Sequence, residues 1–436
     1  MTFTSQTQFD YLFDALAQKY PGIADADGVS SCFQFMETPM AANWTLGSDA
    51  NAFEIANSTS TSLGGFFVPG GAFATAYADC VLSLQPATGA DNAQFKAAAS
   101  QISRINTAIQ SLASQASAAY AVFAANNPGT QETYTQWLND PMGGNSYQSQ
   151  MTQYIQERSS YATTQANILK ALQAGPLATA QAAVNPWAQT MNISEGGQVQ
   201  SVPLVTLGGD LAGDIARWGG YGPDEYDFDV TITGTEEIKT PWKTVYNVTT
   251  STDCWGASAH VNVDTSRIID DTNYKLRVRA VGANSYKIDR GQWYHEDILL
   301  PGSQIVAGSP FTNDSFFGYT GSVHLIPEEV FVMYRITILM TMSTQVYKQQ
   351  FVENADADVE WIDLLGFRFN VNTLASLQPV GDEVTTTITF TAPADQQAQI
   401  VGIVSKVNWN GNGPSAQALR SERVTRVKNG RPVAAY

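Results

Sequence analysis

The chain has 436 residues, 44% of them hydrophobic and only 14% charged, and its 40 acidic against 23 basic side chains leave a net charge of −17. That balance repels nucleic-acid phosphate and anionic membrane surfaces, so sequence-independent binding of DNA or RNA is excluded, while the apolar content is too high for a disordered protein. There is no run of 18 or more strongly apolar residues that would read as a constitutive transmembrane helix.

Residues 1–20 carry Asp10 and Asp14 and no basic cluster, which is not the pattern of a secretory signal. The expectation is synthesis in a cytoplasm without a signal peptide, with release by lysis or another non-classical route. Cys32, Cys80 and Cys254 are widely spaced and odd in number, which favours reduced buried thiols over a disulfide and gives no zinc-ligand spacing.

Residues 62–85 form an apolar run broken by Gly64-Gly65, Pro69 and Gly70-Gly71, with Asp79 its single charge. One reading is a buried hairpin of short apolar pieces. The other is a conditional membrane-inserting element, with Phe66, Phe67, Val68 and Phe73 as its candidate insertion residues.

Farther along, Phe95, Ala98, Ile102, Ile105, Ile109, Leu112, Ala116, Ala119 and Phe123 are spaced alternately three and four apart. This is the seam of a helix that packs like a coiled coil over four heptads. A second seam, through Tyr147, Met151, Tyr154, Arg158, Tyr161, Gln165, Ile168 and Leu172, contains an arginine and a glutamine. Helices near 91–125 and 146–174 are therefore expected to pair antiparallel, and their outer faces carry few charges.

The second part of the chain reads differently. Residues 1–200 hold 18 charged side chains and residues 201–436 hold 45, and the stretch between is rich in glycine. Beyond it alternation by two is frequent, in Phe228, Val230 and Ile232, in Leu276 and Val278, and in one long face Val330, Val332, Tyr334, Ile336, Ile338, Met340 and Met342. The expected organisation is α+β: a helical domain over 1–195, a glycine-rich junction over 196–223, and an antiparallel β-sandwich-like domain over 224–436.

Chemistry is thin. None of the three histidines, His260, His295 and His324, lies in a hydrolase or metal-binding motif, so no catalytic residue, metal site or cofactor is assigned. The densest polar cluster, Trp293-Tyr294-His295-Glu296-Asp297, reads as a strand end where His295 and Asp297 share a face. Two acidic groups, Asp224 to Asp229 and Glu353 to Asp363, read as solvated turns, since neither has an EF-hand pattern. Trp293 and Trp409, with Asn408 and Asn410, form a candidate glycan-binding set, because aromatic faces stack on sugars and amides bond hydroxyls. Arg420, Arg423, Arg426 and Lys428 belong to a 12-residue stretch in which Glu422 is the only acid, and this marks a candidate oligomer interface on an otherwise acidic chain.

Three functions are compatible with these features. The first expectation is a membrane-active protein that resembles helical pore-forming toxins in architecture, its helical domain inserting or oligomerising and its β domain recognising a receptor or glycan. The alternative is a non-enzymatic self-assembling structural protein, such as an inclusion, sheath or lattice subunit. The third is a carbohydrate-active enzyme. The first two imply a homo-oligomer, and no motif assigns a named family.

Overall fold

The structure is a computed structural model that describes residues 5–25, 30–36, 53, 56–60, 65–67, 69–86, 93–127, 134–171, 175–184, 186–195, 198–222, 224–243, 255–257, 265–307, 309–353, 361–365, 367–370, 379–392 and 398–409. Helix α1 (Ser5–Lys19) buries Phe9, Leu12, Phe13 and Leu16, which the helical period places on one side, and Pro21 opens the short α2 (Pro21–Ala24) behind it. Strand β1 (Ser31–Met36) follows. It pairs antiparallel with β16 (Ala398–Val407) at the far end of the sequence and parallel with β3 (Phe66–Phe67).

This pairing overturns the expected division into an N-terminal helical domain and a separate C-terminal β-sandwich. One mixed sheet of nine strands takes in both ends of the chain. The physical reason is aromatic. Phe33 and Phe35 of β1 meet Phe9, Phe13, Phe66 and Trp242, and the Trp242 indole donates a hydrogen bond to Phe33 O at 3.0 Å. The first strand thus completes the β core, and the low charge count of residues 1–200 reflects the composition of the helices that follow it.

Two long strands form the middle of the sheet: β10 (Lys275–Asp289) and β11 (Leu325–Ser343), antiparallel from Lys275↔Thr341 to Lys287↔Glu329. The far edge of β11 is shared, with β16 along Leu325 to Tyr334 and β15 (Thr385–Thr391) along Thr337 to Ser343. The two-residue β14 (Val380–Gly381) lies outside β15. The far edge of β10 carries β8 (Phe228–Ile232) and β7 (Thr206–Leu207). Smaller pairings stand apart: β2 (Ser58–Ser60) with β4 (Pro69–Ala72), β5 (Thr190–Glu195) with β6 (Gln198–Pro203), and a three-stranded sheet of β9 (Trp255–Ala257), β12 (Trp361–Leu364) and β13 (Phe367–Asn370).

The single long face expected on β11 divides in two. Val330, Val332 and Tyr334 pack in one core, whereas Ile336, Ile338, Met340 and Met342 pack in the other, together with Phe331 and Met333. Arg335 is the cause. Its φ of 48° puts a non-glycine residue in the left-handed region and takes up one residue of the alternation, so side chains beyond it change face. Strand β10 inverts at the same level: Leu276, Val278, Ala280 and Ala283 face one core and Tyr286 and Ile288 the other, with Ala280↔Ile336 and Gly282↔Tyr334 still in register. The first core is closed by α1 and by Ile362, Leu364, Phe367 and Phe369 of the small sheet. The second is closed by α3 (Phe73–Ser83) and by a later helix, Leu211–Gly219.

From α3 the chain passes into α4 (Ala93–Asn126), the short α5 (Tyr134–Asn139), α6 (Asn145–Ala171) and α7 (Pro176–Ala183). Helices α4 and α6 run antiparallel: Phe95 shares a cluster with Leu169, and Ala116 shares one with Tyr147 and Met151. At the root Ile102 and Ala162 join the second core. Farther out, Ala116, Ala119, Tyr120, Phe123, Tyr134, Trp137 and Leu138 form a satellite cluster made only of α4, α5 and α6 residues. The pair is an arm of about 50 Å at ~1.5 Å per residue, held to the body at one end. Among the described residues no helix is long and apolar enough to cross a membrane, which overturns the reading of a helical domain that inserts into a bilayer and forms a pore.

The helix that closes the second core, α8 (Leu211–Gly219), sets Trp218 against the strand inversion. Its ring stacks on Tyr334 with centroids 5.9 Å apart, and a Cβ on Gly282 would lie 1.9 Å from the indole. Glycine is required there for close approach. Gly282→Ala is expected to cost about 1–3 kcal/mol through overpacking, read as a lower urea midpoint with an unchanged slope.

Candidate functional site

The polar cluster Trp293 to Asp297 does not sit on a strand. The chain leaves β10, turns at Gly291 with φ 61°, and forms two consecutive 3-10 turns, Gly291–Trp293 and Glu296–Ile298. Trp293 is 1% exposed and offers no face to a ligand: its indole N–H donates to Leu204 O at 2.7 Å and its ring packs on Tyr77 and Trp187. The backbone N–H of His295 donates to the Tyr77 hydroxyl at 2.7 Å. Glu296 turns away to pair with Lys406 of β16. The strand end on which His295 and Asp297 would share a face is therefore not formed.

Beneath these turns lies Arg290, 5% exposed, its guanidinium over the rings of Phe73 at 4.3 Å and Tyr294 at 5.2 Å and donating to Pro327 O and Ala56 O. Burial lowers its pKa to about 10, against the opposing effect of Tyr294, Glu328 and Glu296. Burial also raises Glu328 and Tyr294. Arg290 Nε, Tyr294 Oη and His295 Nε2 find no hydrogen-bond partner among the described residues. The cluster ties the 3-10 turns to α3 and the start of β11.

Three of the aromatic residues in the apolar run, expected to be either buried or membrane-inserting, lie in the interior. Phe66, Phe67 and Phe73 are 4%, 0% and 0% exposed. Val68 lies outside the described residues. Asp79, the single charge of that run, meets Arg158 from the second helical seam, and Arg158 also donates to Asn106 of α4 at 3.0 Å. Burial holds the Asp79 carboxyl above its ordinary range despite the guanidinium beside it. The polar residue in the seam thus has a partner on the body, where it pins the arm.

Asn408 is 5% exposed, its backbone N–H donating to His324 O at 2.7 Å and its side chain lying against Val323 O; Trp409 is half-buried beside it. Asn410, Arg420, Arg423, Arg426 and Lys428 lie outside the described residues, as does Cys254. Cys32 and Cys80 are free and buried, and burial pushes the Cys32 thiol up to about 12. Of the two acidic groups, Asp229 is paired with Arg277 at 2.6 Å and Arg279 at 3.3 Å, and Glu225 accepts from Gly222 N. No metal-binding group of three ligands occurs among the described residues.

One concave feature escaped the sequence reading. A groove of about 470 Å³ runs between α1 and β8, lined by Tyr11, Asp14 and Gln18 on one side and all five residues of β8 on the other. Asp14 is 6% exposed, accepting from Thr240 N at 2.6 Å and from Gln18 Nε2 at 2.8 Å. The signal for it was the helical spacing of Phe9, Leu12, Phe13 and Leu16, an apolar face that needed a sheet to cover. Among the described residues β8 pairs only with β10.

Compared with protein-family models, with curated proteins and with solved structures, the chain matches none of them.

His324 supplies a pH test of the junction between β11 and β16. It is 3% exposed, with Nδ1 against Gly321 O, and burial lowers its pKa to about 4. A depressed folded pKa contributes stability that is present above about pH 6.5 and is lost as pH falls through 4. That amounts to about 3 kcal/mol between those limits. His324→Gln is expected to flatten this part of a urea-midpoint profile measured from pH 7 to 4.

Proposed function

We propose that this chain is a self-assembling structural protein whose copies associate through the helical arm. The observation that supports this is an arm nearly free of charge that exposes apolar side chains. From Ile105 to Gln156 the sequence has two charged residues, Glu132 and Asp140. The outward positions of α4 include Ser111, Ser114, Gln115 and Ala118, and on the same arm Val122 is 61% exposed, Met142 93% and Ile155 43%.

Charge on a surface keeps copies apart, and its removal from a projecting element favours contact between copies. The net negative charge lies on the body, since residues 93–171 sum to +1, and like-charge repulsion between bodies favours contact through the arm. Small and amide side chains on α4 let helices approach closely, and the antiparallel pair can become four helices without any change in the body. Nothing in the Arg290 cluster assembles a nucleophile with a base, so the structural reading accounts for more of the molecule than the carbohydrate-active one.

The test is size as a function of concentration. Light scattering and sedimentation are expected to show large particles without lipid, growing with protein concentration. The triple variant Val122→Glu, Met142→Glu and Ile155→Glu is expected to remain small, with an unchanged circular dichroism spectrum and urea midpoint. A wild-type protein that stays monomeric at every concentration contradicts the proposal.

A further inference from the structure

We infer that the tip of one copy's arm, at Val122 and Met142, seats against Ala113 and Ile155 on the arm of the next copy. Association is then head to tail. This rests on the self-assembly reading and names the two unlike surfaces that meet.

The first surface lies on the flank of the arm that faces the body. On α4 the residues Asn106, Ala113 and Tyr120 are spaced by sevens and share that flank. Asn106 accepts from Arg158 beside Asp79 of α3, and Tyr120 packs on Trp137 of α5 with ring centroids 5.7 Å apart. On α6 Ala162 joins the second core of the body, and Met151 packs in the Trp137 cluster. This flank is therefore covered by the body at the root and by α5 at the tip. Ala113 and Ile155 fall between the two covers, where Ile155 is 43% exposed. They form the floor of an apolar recess walled by α3 and α5.

The second surface lies on the other flank. Val122 follows Ala113 by nine residues, about two and a half turns, and so points away from α5. It is 61% exposed. Asn106 opposite Arg158 sets the level of the two helices, which puts Met142, 93% exposed, at the same end of the arm as Val122.

Shape pairs one surface with the other. Two recesses cannot fill each other, because α5 and the body rise on either side of Ile155, whereas a projecting tip can enter. Ile155 lies level with Ile109, about 20 Å along the arm from Val122 at ~1.5 Å per residue. Surfaces so displaced, on opposite flanks, need a different neighbour each. Contact between unlike surfaces is heterologous, and its repetition gives an open row or a ring. Charge favours a second copy as the occupant. Between α4 and α6 the chain carries two acids, Glu132 and Asp140, and no base, whereas α4 and α6 carry Lys96, Arg104, Arg158 and Lys170 against Glu157. The acidic end of one arm thus suits the helices of another.

The experiment uses the full-length protein. Val122→Glu with Met142→Glu alters the tip, and Ile155→Glu alters the recess, each with an unchanged circular dichroism spectrum. Ile155→Gln repeats the second change without adding charge. Each altered protein alone is expected to sediment as a monomer at concentrations where the unaltered protein forms large particles. Mixed in equal amounts, the tip and recess proteins are expected to form one species of two copies, one of each kind by native mass spectrometry. One intact tip and one intact recess remain in that mixture, enough for a single junction. Pairs formed by either protein alone overturn the inference in favour of like surfaces meeting. Large particles from either protein alone, or a mixture that stays monomeric, sink this inference and leave self-assembly standing. An unaltered protein that is monomeric at every concentration sinks both.

Discussion

A pair of strands that must serve two cores needs a place where its faces exchange, and here that place is Arg335 with its neighbours across the strand. The left-handed residue lets β11 direct Phe331 and Met333 and then Ile336, Ile338, Met340 and Met342 into the core beneath α1. The same residue lets Val330, Val332 and Tyr334 meet the core built by α3 and α8. Because β10 inverts at the same level, the register survives and neither strand loses its partner. The change of partner on the other edge of β11, from β16 to β15, falls at the same point. Trp218 fills the space above Gly282 at this level, so a backbone feature and a packing feature hold one another in place.

The helical arm joins that body through apolar contacts of Ile102 and Ala162 and through a polar contact of Arg158 inside apolar surroundings. Arg158 would leave a buried guanidinium without Asp79, and breaking such a pair from one side costs about 3–5 kcal/mol, whereas replacing both partners with apolar groups is often neutral. The pair therefore acts as a specification of where the arm joins the body more than as a source of stability. Beyond it the arm is held by its own aromatic cluster around Trp137, where Gly143 and Gly144 allow the chain to pass close to the indole.

Much of the local structure was legible in the sequence, and the long-range arrangement was not. The alternation of three and four from Phe95 to Phe123 marks the segment that forms α4, because that spacing has no other regular realisation. The period of two in β8 and β10 is equally local. The face of β11 could not be read, since Arg335 carries no glycine or proline signal and its φ is set by neighbours on both strands. Strand β1 was missed because its partners Val404 and Lys406 lie about 370 residues away, and Phe33-Gln34-Phe35 becomes a strand only when β16 is beside it. The site residues show the same limit. Trp293 has the composition of a sugar platform, and only tertiary packing on Tyr77 and Trp187 shows that it is enclosed. Arg158 stands in an apolar seam for a reason that lies 79 residues away, at Asp79.

Met142 reports directly on whether the arm meets another copy, because the residue is 93% exposed in the single chain and its thioether is readily oxidised. Hydroxyl-radical footprinting of dilute and concentrated protein measures how fast Met142 is converted to the sulfoxide in each state. Several-fold slower oxidation of Met142 in the concentrated, assembled protein, with exposed residues of the body such as Val380 and Val384 reacting as before, is the predicted result. Equal oxidation of Met142 in both states, in a sample that scattering shows to be assembled, would contradict it.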